Sequence, residues 1–282
     1  MISEKKQKLL DGQYDEILAT LYCGAQFVEK QTARYAKAID AFAALYGDRE
    51  IEIYSAPGRT EIGGNHTDHQ NGRVLAASIN LDAVAVVSKR EDSVIRITSE
   101  GYGEVVVDLS ELDALESEQG TTKALVRGTA AAVFGRGYKI GGFDGYVTSD
   151  VLSGSGLSSS AAYEVLIGNI LSGMYNDGKI DNVTLAQIGQ EAENVYFGKP
   201  CGLLDQMASS VGGLINIDFK DKTCPVVKKV DVDFNRFHHS LCIVDTKGSH
   251  ADLTDEYAAV PQEMRKVAEF FGKSYLSEVE KS

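Results

Sequence analysis

The chain has 282 residues, of which 43% are apolar and 24% are charged, a composition typical of a globular protein rather than a disordered or fibrous one. The formal charge of −13 argues against non-specific binding to nucleic acids and to anionic membrane surfaces. Four scattered cysteines without a C-x-x-C pair disfavour a zinc site or a disulfide framework. The sequence has no segment that resembles a secretory signal and no apolar run of about 18 residues. We therefore expect a cytoplasmic protein.

The first half of the chain alternates between helical and strand patterns. Apolar spacing predicts one helix over residues 15–46, with Gly47 as its end. Residues 73–90 are β-rich and long enough for a bent strand or a hairpin. Shorter segments predict strands at 51–56, 94–99, 105–109 and 143–151 and a helix at 123–137.

The second half continues the mixture. Helical patterns begin at Ser158 and cover 182–198 and 252–272, where Pro261 is expected to bend or restart the helix. Strands are predicted at 214–219 and 240–246. Interspersed strands and helices predict an α+β (α/β) fold class.

The polar stretch "GRTEIGGNHTDHQNG" at 58–72 lies between two apolar segments. Its composition fits a plain surface loop or a binding loop. Three of its side chains also suggest a metal site, namely His66, Asp68 and His69.

The stretch "GSGLSSSAA" at 154–162 is a Gly/Ser loop that opens a helix. The first N–H groups of a helix lack internal partners and carry partial positive charge, so this pattern favours a phosphate site. The alternative is a solvated loop with a serine N-cap. The glycine spacing matches neither a P-loop nor a dinucleotide-binding motif.

Four segments together resemble the galactokinase family of the GHMP small-molecule kinases. "GSGLSSSAA" is similar to the family's nucleotide loop, and "APGRTEIGGNHTDHQNG" to its sugar signature. "AENVYFGKPCGLLDQ" and "SHADLTDEYAAV" are similar to two later family segments, in the same order. The resemblance covers roughly residues 20–282 and implies a GHMP-kinase domain of ribosomal protein S5 domain 2-like type.

The resemblance implies transfer of the ATP γ-phosphoryl group to the C1 hydroxyl of a sugar, with Mg²⁺ as cofactor, a reaction governed by positioning and electrostatics. Asp205 matches the catalytic base and Arg59 the arginine beside it, while Ser160 and Glu193 match the metal ligands. From the residues alone, Asp205 also fits a helix cap after Gly202, and Glu193 a solvated helix carboxylate.

The binding residues implied by the resemblance fall into two sets. The nucleotide-binding positions are Gly154, Ser155, Gly156, Leu157, Ser158, Ser159 and Ser160. The sugar-binding positions are Asn65, His66, Thr67, Asp68, Gly202 and Tyr257.

Two departures from the family pattern affect the interpretation. Asn65 stands where the family has Glu, which leaves open a kinase for a related sugar, such as an amino sugar, a uronic acid or arabinose. The family's later glycine-rich motif is absent, so we expect an N-terminal domain at 1–240, the start of an incomplete second domain at 241–282, and little or no turnover by this chain alone. A galactose- and ATP-sensing regulator and an inert truncated chain are the alternatives outside catalysis.

Overall fold

The computed structural model describes residues 2–280 apart from 65–66, 152–153, 155, 222, 233, 240 and 245–253; it leaves the side chains of 235 and 254–258 undescribed. The predicted domain boundary at residue 240 therefore lies outside the described residues. Within them, no helix is both long and apolar enough to cross a bilayer.

The described residues form one seven-stranded sheet in the order β4-β3-β5-β2-β6-β7, with β1 paired to β2. The β3–β5 pair is parallel and the other pairs are antiparallel. The strands are β1 (Glu52–Gly63), β2 (Arg73–Lys89), β3 (Val94–Ser99), β4 (Glu104–Asp108), β5 (Phe143–Ser149), β6 (Leu214–Asp218) and β7 (Val226–Lys229).

The long strand β2 organises the sheet. It is a single strand of 17 residues rather than a hairpin. Residues 73–77 pair with β6 and residues 83–89 pair with β5, while β1 runs along the length of β2. Strand β2 thus joins the β4-β3-β5 part of the sheet to the β6-β7 part.

Helices cover the sheet on both faces because successive side chains of a strand point to opposite sides. On β2, Ala83, Ala85 and Val87 belong to the core under three helices, α4 (Thr122–Gly135), α5 (Ser159–Asn176) and α6 (Asn182–Glu191). Val84 and Val86 belong to the core under the N-terminal helices. Those buried, near-continuous apolar residues are typical of a strand covered on both faces.

Eight α-helices lie within the described residues. They are α1 (Ile2–Leu10), α2 (Asp15–Leu21), α3 (Val28–Tyr46), α4 (Thr122–Gly135), α5 (Ser159–Asn176), α6 (Asn182–Glu191), α7 (Leu204–Val211) and α8 (Thr254–Phe270). A π-helical turn, Ala192–Phe197, follows α6 directly.

Several predicted elements differ from the structure. The single helix over 15–46 is wrong, because α2 ends at Leu21 and Cys23 adopts a left-handed φ of 60° before α3 begins. The strand at 240–246 is also wrong over its described part, since residues 241–244 form no strand. Helix α8 continues through Pro261 and does not restart there. Neither α1 nor α7 was predicted.

Candidate active site

Arg59 lies on a strand rather than in a loop. β1 continues to Gly63, so the first part of the 58–72 stretch is paired to β2, with a register shift between Pro57 and Arg59. At this irregularity the Arg59 N–H donates to the Leu157 carbonyl at 3.1 Å. A Cβ on Gly58 would lie 2.9 Å from that same oxygen, so glycine allows the close approach. The sugar-signature strand and the Gly/Ser loop are therefore in direct contact.

The Arg59 guanidinium binds the Asp205 carboxylate through two hydrogen bonds. Nε donates to Oδ1 at 2.6 Å and Nη2 to Oδ2 at 2.9 Å, while Nη1 donates to the Gly156 carbonyl at 2.8 Å. Such a bidentate pair fixes the carboxylate orientation as well as its charge. The structure thus places the two predicted catalytic residues together although 146 positions separate them.

Asp205 is held in its ionised form. It lies in the first turn of α7, where the helix dipole favours negative charge, and Ser158 Oγ also donates to its Oδ2. Burial opposes ionisation, but the Arg59 charge and the hydrogen bonds from Arg59 and Ser158 outweigh it and lower the Asp205 pKa. Its side chain retains 36% exposure, so the carboxylate can meet a ligand.

The Gly/Ser loop enters α5 in an unusual conformation. Gly154 and Gly156 have φ values of 72° and 75°, and Ser158, at the N-cap, has a φ of 58°. Ser158 makes no capping hydrogen bond, because its hydroxyl is directed to Asp205 instead. A serine thus occupies the N-cap position, as the alternative expected, but its hydroxyl does not cap the helix and does not bind the first N–H groups of α5. Ser155 lies outside the described residues.

Ser160 and Glu193 meet beside this helix end. Ser160 Oγ donates to Glu193 Oε1 at 3.0 Å, and Lys199 Nζ lies 3.3 Å from the same oxygen. Glu193 is 3% exposed, so the solvated-carboxylate alternative is wrong. A hydroxyl and a carboxylate oxygen are ligands that Mg²⁺ accepts, with phosphate and water completing its shell, so these side chains fit the implied metal.

Two buried residues behind Glu193 were missed by the sequence reasoning. Gln206 Nε2 donates to Glu193 Oε2 at 2.8 Å and to Glu164 Oε2 at 3.1 Å. Glu164 is 1% exposed, and burial together with the nearby Glu193 charge raises its pKa well above the usual value. An available signal was its position four residues after Ser160, which places an acid on the same helix face.

The sugar side centres on Asp68, which is 7% exposed in a 3-10 turn, Thr67–Gln70. His69 N–H donates to Asp68 Oδ1 at 3.0 Å, and a Cβ on Gly202 would lie only 1.8 Å from Oδ2. Gly202 therefore allows the carboxylate to lie against the backbone before α7. The Thr67 hydroxyl donates to the Arg73 carbonyl at 2.8 Å and so closes the turn.

Three predicted sugar-side residues cannot be placed in this geometry. Asn65 and His66 lie outside the described residues, and Tyr257 lies on α8 with its side chain undescribed. Among the described part of the chain, no group of three or more His, Cys, Asp or Glu side chains could hold a metal ion. The metal interpretation of His66, Asp68 and His69 includes a residue that lies outside that part of the chain.

Two family models match the segments of the chain that carry this site. The galactokinase galactose-binding signature matches residues 40–89, and the GHMP kinase N-terminal domain matches residues 124–213. A galactokinase of Streptomyces coelicolor is 32% identical over 243 residues, which are 85% of this chain and 62% of that protein. A galactokinase of Lactococcus lactis subsp. lactis is 32% identical over 77% of this chain and 55% of its own length.

The chain belongs to the galactokinase family. It spans 55–62% of the length of these two curated galactokinases. Solved structures agree on the fold: a Lactococcus lactis galactokinase complexed with galactose has a TM-score of 0.69 at 26% identity, covering 89% of this chain and 63% of that one. A Methanococcus jannaschii mevalonate kinase, at 18% identity, has a TM-score of 0.56 over 80% of this chain and 73% of its own, and supports the GHMP-kinase fold alone.

A further charged residue at this site is Lys199, which contacts Glu193. It is 43% exposed, and its pKa is raised: burial opposes its charge, but the charge of Glu193, the hydrogen bond to Glu193 and the charge of Asp205 together outweigh burial. The sequence reasoning passed over it, since a single lysine in "FGKPCG" has no pattern that distinguishes it from a surface cation.

Proposed function

We propose that this chain carries the catalytic centre of a galactokinase-type sugar kinase, which transfers the γ-phosphoryl group of ATP to the C1 hydroxyl of galactose. The observation that supports it best is the contact of Asp205 with Arg59 and Ser158 beside the N-terminus of α5. A carboxylate kept ionised next to a fixed cation suits a reaction in which negative charge must be oriented and balanced.

In this proposal Asp205 orients the sugar hydroxyl and accepts its proton. Arg59 keeps Asp205 ionised and offsets charge on the transferred phosphoryl group. The N–H groups at the start of α5 and the Gly154–Ser160 loop bind the nucleotide phosphates. Ser160 and Glu193 hold Mg²⁺, which supplies charge screening for the phosphates when bound.

On the sugar side, Asp68 accepts hydrogen bonds from galactose hydroxyls. A buried carboxylate that loses one hydroxyl partner pays a desolvation cost, so this contact selects between epimers. Asn65, His66, Gly202 and Tyr257 complete the proposed sugar site, together with Thr67. The protein is proposed to act in the cytoplasm, whose reducing conditions suit a sequence with four scattered cysteines and no C-x-x-C pair.

The test combines binding with turnover. Calorimetry measures binding of galactose and of Mg-ATP to the chain and to D205N, and ³¹P NMR follows galactose 1-phosphate. D205N is expected to retain both ligands but to lower any turnover by about a hundredfold or more. D177N is the matched control, because Asp177 is an exposed residue in a left-handed conformation that asparagine tolerates. If the unmodified chain binds neither ligand, the proposed function is wrong.

A sugar panel addresses the related-sugar alternative. Galactose is compared with an amino sugar, a uronic acid and arabinose in the same calorimeter. Tighter binding of one of the others would transfer the proposal to that sugar, and N65E should then shift preference toward galactose.

A further inference from the structure

Lys199 is tied to Glu193 through the backbone. The π-helical turn ends at Gly198, which has a left-handed φ of 83°, and this reverses the chain direction. The Lys199 N–H then donates to the Glu193 carbonyl at 3.1 Å. The lysine backbone is thus anchored on the residue that its side chain also contacts.

The ammonium of Lys199 and the hydroxyl of Ser160 share one oxygen. Lys199 Nζ lies 3.3 Å from Glu193 Oε1, to which Ser160 Oγ donates at 3.0 Å. The other oxygen, Oε2, accepts from the buried Gln206 amide at 2.8 Å. The residues that would hold the metal, Ser160 and Glu193, therefore already meet at an oxygen that the ammonium also contacts.

We propose that Lys199 is an internal counter-ion that competes with the divalent metal for Glu193, so that the site admits metal preferentially together with nucleotide. This inference rests on the proposed function, because it assigns Ser160 and Glu193 to the metal. It adds a residue that sets how metal and nucleotide binding are coupled.

The physical reason is charge balance around a carboxylate that is 3% exposed. A divalent ion and an ammonium beside the same carboxylate oxygen repel each other, so the binding of one weakens the binding of the other. Lys199 is 43% exposed and has a flexible stem, so its head group can move while the backbone stays anchored. Nucleotide phosphates give the displaced ammonium a new anionic partner. Without nucleotide, the ammonium would have only water in place of Glu193, which stabilises its charge less.

The first experiment uses Mn²⁺ alone, with free Mn²⁺ followed by electron paramagnetic resonance. K199M removes the charge and keeps the stem, and is expected to bind Mn²⁺ about tenfold more tightly than the unmodified chain. K228M is the matched control, since Lys228 is an exposed residue of β7 and its loss changes net charge equally. The double variant K199M/E193Q should lose the gain.

Equal Mn²⁺ affinity of K199M and the unmodified chain, or weaker binding by K199M, would overturn the inference. An equal gain in K228M would do so as well, because the effect would then be one of overall charge. A gain that survives in K199M/E193Q would place the metal elsewhere and would also reject it.

The second experiment adds ADP. In the unmodified chain ADP should tighten Mn²⁺ binding by a larger factor than in K199M, because only the former has an ammonium to displace. Equal enhancement in both proteins contradicts the coupling. The Mn²⁺-only measurement does not involve sugar, nucleotide or turnover, so failure of the proposed kinase activity would be distinguishable from failure of this inference.

Discussion

Gly202→Ala should disable the sugar side of the site while leaving the domain folded. The added Cβ would lie 1.8 Å from Asp68 Oδ2 and 2.8 Å from Asp68 Cγ. The first contact is roughly 1 Å inside the 3.0 Å limit below which real Cβ contacts are essentially never found. Since the Asp68 side chain is buried and fixed by its hydrogen bond from His69 N–H, it has little room to retreat.

Two magnitudes follow from this collision. Overpacking of this kind costs about 1–3 kcal/mol of folding free energy. Displacing Asp68 also removes a hydrogen bond to a charged acceptor, worth about 1.5–3 kcal/mol, so galactose affinity should fall by about ten- to 150-fold. Mg-ATP affinity should stay within about twofold, because the nucleotide loop is not touched by the change.

The assay is calorimetry with galactose and with Mg-ATP, accompanied by urea unfolding. Gly135→Ala serves as the control, because a Cβ at the end of α4 would meet nothing within 4 Å. Unchanged galactose affinity in Gly202→Ala would refute the assignment of Asp68 to the sugar. Parallel losses of galactose and Mg-ATP affinity would show a general distortion and would refute the local argument.

Three further outcomes concern stability. Gly58→Ala should lower the free energy of unfolding in urea by about 1–3 kcal/mol, since its Cβ would lie 2.9 Å from the Leu157 carbonyl oxygen; an unchanged midpoint would contradict that contact. Because the Glu164 pKa is raised in the folded state, the unfolded state releases this proton first, so stability should fall by roughly 1 kcal/mol per pH unit above about pH 4, up to the folded pKa. Glu164→Gln should remove that fall in urea titrations between pH 5 and 8, and an unchanged fall in the variant would show that Glu164 is already ionised in the folded state. Tyr22→Phe should cost about 1–3 kcal/mol in thermal unfolding, since it removes the buried hydroxyl that donates to Asp82 Oδ2 at 2.7 Å, and no loss would show that Asp82 finds another donor.

The spacing of apolar residues and the local composition predicted most helices and strands, because their apolar faces recur at regular intervals. Strand β3 and helices α4 and α5 lie within a few residues of the predicted positions, and the helix predicted at 182–198 corresponds to α6 together with the π-helical turn. The break between α2 and α3 could not be predicted from periodicity, since the left-handed conformation at Cys23 interrupts a pattern that continues on both sides. The extension of β1 past Pro57 was hidden by a polar composition that indicates loop in the absence of pairing partners.

The residues of the candidate site likewise fall into those that the sequence predicted and those that it did not. Motif resemblance predicted Arg59 beside Asp205, and the structure places them in contact. It gave no account of Gln206 or Glu164, whose importance depends on burial and on bonds that cross from α7 to α5. Local spacing carries no information on which distant side chain a buried amide meets, so such partners appear only with the tertiary structure.

The pairing of β2 with both β5 and β6 has a consequence for how the protein acquires its site. Strand β6 joins the sheet at residues 73–77, after about half of the chain has intervened. Contacts between residues so far apart in sequence form slowly. The entropy of closing the long intervening segment is lost before the contacts that offset this loss can form. During synthesis, Arg59 cannot contact Asp205 until the ribosome has released the chain as far as α7. The proposed ligand site therefore requires that the segments of β1 and α7 have met, and a ligand can stabilise only molecules in which they have done so.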